Sequence, residues 1–240
     1  MAIPFSDSTN NSGIVEQTRD IMRVDSNQWS TQKITNSCNN WLDKLTGYAI
    51  GADRMFQWDD TNHTKMPIGT TELTAGQSDY SFLQDEQGNA IVTLTRIDVK
   101  DSSGNWTKLK TIDESGIDVA LDEYEKTDGI PKYYDKVADN VIRLYPASAS
   151  TVAAGIKFYF QRTGSYFVAT DTTKEPGVSP LLHRGFIIAS AYDGAMTLGL
   201  DNFNVLAVEQ QKEENKMIDY FADRNEDVIK RMIPKVESNR

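Results

Sequence analysis

The sequence predicts an α+β fold: helices from the N- and C-terminal parts of the chain form one bundle, and a β-rich domain, sandwich- or barrel-like, is inserted between them. Three observations carry this expectation. Ile34, Cys38, Trp41, Leu45, Tyr48 and Ala52 recur at helical spacing, which marks one buried stripe. From Met55 to about Gly177 the pattern changes to short β-branched and aromatic runs separated by Gly, Pro, Asn and Asp. After "EPGVSP" the helical period returns. The expected organisation is therefore an N-terminal arm and helices over 1–54, a β-rich insertion over 55–177, and long C-terminal helices with a tail over 178–240.

Met1 to Gly13 is short and polar, with Pro4 and a Ser/Thr/Asn cluster, and is expected to order only against something else. Ile14 to Val24 predicts a short helix, and Asp25 or Ser26 is the expected N-cap of the next one. Within the insertion, "TTELTAGQSDYSF", "NAIVTLTRIDVKDSSGNW", "NVIRLYP" and "AGIKFYFQRTG" read as strands. "GIPKYYDKVADNVIRLYP", Gly129 to Pro146, reads as a hairpin with Pro131 setting an extended start and "ADN" a polar turn. Alternation puts Ile142 and Leu144 on one face and Val141, Arg143 and Tyr145 on the other, and neither face is plainly polar. Ile142 and Leu144 are expected in the core. Tyr133, Arg143 and Tyr145 are the candidates for contact with a neighbouring element or subunit.

Ser179 is the expected N-cap of the third helix, with Pro180 at its first position, where the missing N–H costs nothing. Leu181 to Leu200 is apolar nearly all round and rich in Ala and Gly, as in a helix packed closely on several neighbours; Arg184 and Asp193 weaken a membrane reading. The last helix is expected from about Phe203 to Met232. Its block "EQQKEENK" has no apolar residue on any face and must be solvated or meet a polar partner, so Glu209, Lys212, Glu213, Glu214 and Lys216 are candidates for a subunit interface or channel lining. Met217, Phe221 and Val228 restore the stripe, and Glu226 with Lys230 and Asp227 with Arg231 have the acid-first spacing of helical ion pairs. Pro234 ends the helix before the basic tail "KVESNR".

Composition narrows the function classes. The 240 residues suffice for a large hydrophobic core. Asp+Glu 35 against Lys+Arg 25 gives a net charge of -10, which argues against general affinity for phosphate backbones or anionic membranes. The single cysteine, Cys38, cannot close an intrachain disulfide and is expected as a small core residue. Met1 to Ser12 lacks the basic start and apolar run of a secretory signal, so synthesis in a cytoplasm is expected.

The search for chemistry finds no catalytic, cofactor or metal site, and the chain is expected not to be an enzyme. Asp59, Asp60 and His63 lie close in "WDDTNHT", but a capped polar turn explains them better than a metal site with so few donors. His183, on an apolar helix, reads as a satisfied core or interface histidine, since no G-x-S-x-G motif accompanies it. Walker A and G-x-G-x-x-G loops are absent. Asp122 and Glu123 are the carboxylate pair of the alternative reading, a glycan hydrolase, although a solvated charged surface accounts for them. Tyr133, Tyr134, Tyr145, Phe158, Tyr159 and Phe160 are expected as core or cross-strand residues, while Lys132, Lys136, Lys157 and Arg162 form at most a modest basic patch.

The ordered segments carry a resemblance. A helix followed by "WDDTNHTKMPIGTTELTAGQSDYSF", then "GIPKYYDKVADNVIRLYPASAS", "IKFYFQRTG" and finally two helices containing "PLLHRGFIIASAYDGA" resembles the neck adaptor, or head-to-tail connector, proteins of tailed bacteriophages over most of the chain. The resemblance implies a virion structural protein, a dodecameric ring beneath the portal protein that gives passage to DNA and joins the head to the next tail, nozzle or fibre-bearing component. It implies no catalytic residues and no cofactor. It also implies portal docking by the C-terminal part, here the stretch containing Val228, Lys230, Arg231, Met232, Ile233, Lys235 and Arg240. Another tail or nozzle component is the structural alternative.

Overall fold

A computed structural model describes residues 2–52, 68–85, 88–112, 123 and 126–224. The fold is α+β: N- and C-terminal helices pack together, with a two-sheet β region inserted between them. Two compact units result, one from Met1–Phe56 with Tyr166–Arg240 and the other from Gln57–Ser165.

The helical unit contains α1 (Ile14–Met22), α2 (Thr31–Ala52), α3 (His183–Leu198) and α4 (Phe203–Arg224). The predicted stripe of α2 is buried at Ile34, Cys38, Trp41 and Leu45, and Tyr48 is half-buried. The N-cap of α2 is not Asp25 or Ser26 but Ser30, whose hydroxyl and carbonyl oxygens face the Lys33 amide at 3.4 and 3.0 Å. Asp25 is already committed: its carboxylate accepts from the amides of Asn27 and Gln28 in a separate turn that delivers Trp29 to the core. Ser179 does cap as expected, accepting from the Leu181 amide at 3.5 Å, and Pro180 opens a 3-10 turn that leads into α3.

α3 packs against α1, α2 and α4, and two glycines make this possible. A β carbon at Gly185 would lie 2.9 Å from the indole nitrogen of Trp41, and one at Gly194 would lie 2.2 Å from the terminal methyl of Met22. Gly199 then ends α3 in the left-handed region at φ 65.

The N-terminal arm corrects an expectation: it is ordered on this chain itself, not only against another molecule. Phe5 is fully buried and stacks on Phe167 with centroids 4.8 Å apart. The amides of Phe5 and Ser6 donate to the carbonyls of Lys174 and Thr172, and Glu16 of α1 accepts from the Ser6 hydroxyl and the Asp7 amide. A single aromatic anchor inside a polar segment was invisible to composition. From the other side, Asn39 of α2 clamps the Phe167 backbone, donating to its carbonyl at 3.0 Å and accepting from its amide at 2.9 Å.

Among the described residues the β unit has two four-stranded sheets. One runs β1 (Ile68–Leu73), β8 (Val152–Arg162), β3 (Ile91–Lys100), β4 (Trp106–Lys108); the other runs β2 (Asp79–Ser81), β7 (Val141–Tyr145), β6 (Tyr133–Ala138), β5 (Lys110–Thr111). Among the described strands all pairings are antiparallel except β5 with β6, and an isolated bridge between Gly129 and Ser148 is also parallel. Between the sheets lies a core that includes Tyr80, Ile97, Val99, Ile142, Leu144, Ile156, Phe158 and Phe160. The hairpin β6–β7 turns at Asp139–Asn140, as "ADN" predicts. Arg162 does not belong to a surface patch: its side chain is 2% exposed and pairs with Asp85, itself 5% exposed, at 3.4 Å. Asp85 also accepts from the Asn89 amide and side chain, so the buried charge is compensated.

Candidate interaction surfaces

The polar block of α4 has its polar partner within the chain. Arg184 of α3 reaches Glu209 and Glu213, each at 3.5 Å. From α2, Lys44 pairs with Glu214 at 2.6 Å, and the Tyr48 hydroxyl donates to the same carboxylate at 3.0 Å. That hydrogen bond is the main reason the Tyr48 phenol is pushed above its ordinary range. The hydrogen bond from Lys212, followed by the charge of the same residue, lowers the Glu209 carboxyl. Lys212 and Lys216 pair with Glu209 and Glu213 one helical turn away and remain exposed. Each exposed pair contributes little by itself, but together they allow an all-polar helix segment to pack on α2 and α3. Sequence spacing could not show the partners across helices, because Lys44 and Arg184 arrive from distant segments.

Next to this block α4 presents apolar side chains to solvent. Val205 and Val208 are 66% and 56% exposed, and Leu181, before α3, is 63% exposed. With Lys212, the two valines fall on one outward face at i, i+3 and i+7.

In the hairpin, Ile142 and Leu144 fill the core as expected. Arg143 meets a neighbouring element of its own unit: it donates two hydrogen bonds to Asp79 of β2, at 2.7 and 3.1 Å. This bidentate pair lowers the Asp79 carboxyl and raises the guanidinium. Tyr145 is buried and precedes a cis peptide bond to Pro146, and Tyr133 lies directly across from it in the β6–β7 register, half-buried.

His183 is a satisfied core histidine, with Nδ1 accepting from the Ile3 amide and Nε2 facing the Val178 carbonyl, both at 3.0 Å. Glu123 pairs with Lys126 in an exposed setting. Asp59, Asp60, His63 and Asp122 lie outside the described residues, as do Val228, Lys230, Arg231, Met232, Ile233, Lys235 and Arg240. Among the described residues no group of three or more His, Cys, Asp and Glu is placed to hold a metal ion, and no helix is long and apolar enough to cross a membrane.

Sequence reasoning missed a basic and aromatic face on the first sheet. Ile97 and Val99 of β3 and Ile156 and Phe158 of β8 point to the core, so Arg96, Asp98, Lys100, Lys157 and Tyr159 share the opposite face. Register adds Trp106 and Lys108 of β4, opposite Lys100 and Asp98. Lys157 stands over the Trp106 ring at 4.0 Å, and Arg96 over Tyr159 at 5.0 Å. The alternation in "TRIDVK" was the available signal, but its relation to Lys157 and Lys108 depends on strand pairing.

No family model matches the chain, and no curated protein is significantly similar to it.

Proposed function

We propose that this chain is a structural, non-enzymatic virion protein of a tailed bacteriophage, a neck adaptor that forms a ring, connects the portal to the tail or next neck protein, and gives passage to DNA. The observation that carries the reading is the architecture itself, in which terminal helices close on one another around an inserted two-sheet β region. This is the layout that the ordered motifs imply for an adaptor. The outward stripe of Val205 and Val208 beside Lys212 supports it, because a ring subunit needs surfaces left uncovered in the single chain. The net charge of -10 suits a conduit past which DNA slides without sticking. In this reading the subunits are made in the host cytoplasm, assemble as twelve copies by analogy with the family, and dock on the portal through the stretch from about Val228 to Arg240.

The test is electron microscopy and native mass measurement of the purified chain, alone and mixed with portal rings. A closed ring seated on the portal is the expected result, and a chain that forms neither ring nor portal complex overturns the reading. Truncation before Val228 is expected to abolish portal docking while the far-ultraviolet circular dichroism of the chain persists. Undiminished docking by the truncated chain would refute the assignment of that segment.

A further inference from the structure

We infer that the outer face of β4, β3 and β8 is a docking surface for the acidic surface of a second copy of this chain. The inference rests on the ring reading above and names one side of its subunit contact.

Charge is the first argument. Arg96, Lys100, Lys108 and Lys157 converge on this face of a chain whose net charge is -10. The carboxylate among them, Asp98, has a side chain only 3% exposed and is tied to Arg96 at 2.7 Å. The face is therefore locally positive on a negative molecule. Like-charged subunits repel as they close into a ring, and a heterologous contact offsets that cost by setting a basic patch of one copy against an acidic patch of the next.

Ring geometry is the second argument, and it distinguishes protein from nucleic acid. Lys157 and Lys100 stand 4.0 and 5.8 Å from the Trp106 ring centre, and Arg96 covers Tyr159. With a cation already over each of the two aromatics, they make a poorer platform for bases than uncovered rings would. The stacking instead holds the cationic groups in place on a rigid sheet, which reduces the ordering cost of pairing them with carboxylates. Trp106 is still 39% exposed and Ile68, opposite Tyr159 on β1, is 41% exposed, so the face combines apolar area with charge as protein interfaces do.

The experiment uses the full chain, alone and on portal rings. Equal amounts of normal and nitrogen-15-labelled chain are assembled and treated with a zero-length carbodiimide. Cross-links from Lys108 or Lys157 to an Asp or Glu of the other isotopic form are expected. The double variant Lys108→Glu/Lys157→Glu should weaken self-association at least about tenfold at low salt, and Lys108→Arg/Lys157→Arg should assemble normally. Circular dichroism confirms that both variants fold. If the native chain and the Glu variant assemble equally well, or no cross-link joins two copies at these lysines, this inference falls while the ring reading stands. If the native chain never assembles, both fall. If the Glu variant assembles normally but loses binding to a duplex DNA probe that the native chain binds, the face is a nucleic-acid surface and the inference is overturned.

Discussion

His183 is held as a neutral imidazole by two main-chain partners that need opposite ring nitrogens: Ile3 donates to Nδ1, and Nε2–H donates to Val178. A second proton at Nδ1 would face the Ile3 N–H and release the arm that Phe5 anchors. Burial is the largest cause that pushes this histidine below its ordinary value of 6.5. Its folded pKa is depressed, so the unfolded chain takes up the proton first. The contribution to stability is complete above about 6.5 and declines as pH falls below it. Proton NMR should show one of the chain's two histidines titrating below 6.5, with the Ile3 amide shifting in step; a His183 midpoint at or above 6.5 would remove this account of the arm. Cys38 was legible from the sequence as a core residue, and it is fully buried, with desolvation and then Asp193 raising its thiol. The arm was not legible, because it is fixed to residues far along the chain by two backbone–backbone hydrogen bonds, one from the Ile3 amide to the His183 ring, and one ring stack.

At the scale of elements, period was a reliable guide and partnership was not. The stripe of α2, the close-packed character of α3 and the β6–β7 hairpin follow from alternation that burial enforces locally. The position of the α2 cap did not, since Asp25 and Ser30 are both good capping types and the difference lies in where Trp29 must go. Sheet order likewise depends on β8, which pairs with β1 and β3 across long stretches of sequence. The small residues of α3 carry a testable asymmetry. At Gly185 an added methyl group meets only the rigid Trp41 indole, at 2.9 to 3.1 Å, whereas at Gly194 the two nearest atoms are the flexible end of Met22, with the Trp29 indole next at 3.1 Å. Gly185→Ala should therefore destabilise the helical unit by about 1–3 kcal/mol, as overpacking does, and Gly194→Ala by less. Urea unfolding of both variants measures this, and equal or reversed losses would show that the Trp41 contact does not limit how closely α2 and α3 approach.

Among the described residues, the helical unit and the β unit each bury a set of apolar side chains of their own. Phe5, Ile34, Trp41, Phe186 and Phe221 are buried in the helical unit, while the β unit has a separate cluster around Ile97, Ile142, Leu144 and Phe158. The order of helices, β insertion and helices was readable from the change of hydrophobic period. The functional surface was less so, because the basic sheet face and the Lys44 and Arg184 contacts of α4 arise only when distant segments meet. Separate cores have a consequence for cooperativity. Removing most of the Leu144 side chain should cost the β unit about 2–5 kcal/mol, from lost burial and the cavity left behind. Hydrogen exchange read by mass spectrometry on Leu144→Ala should then show faster exchange in β3, β7 and β8, with protection in α2 and α3 unchanged. Equal loss of protection in α2 and α3 would mean that the two units unfold as one, and that the insertion stabilises the bundle into which it is inserted.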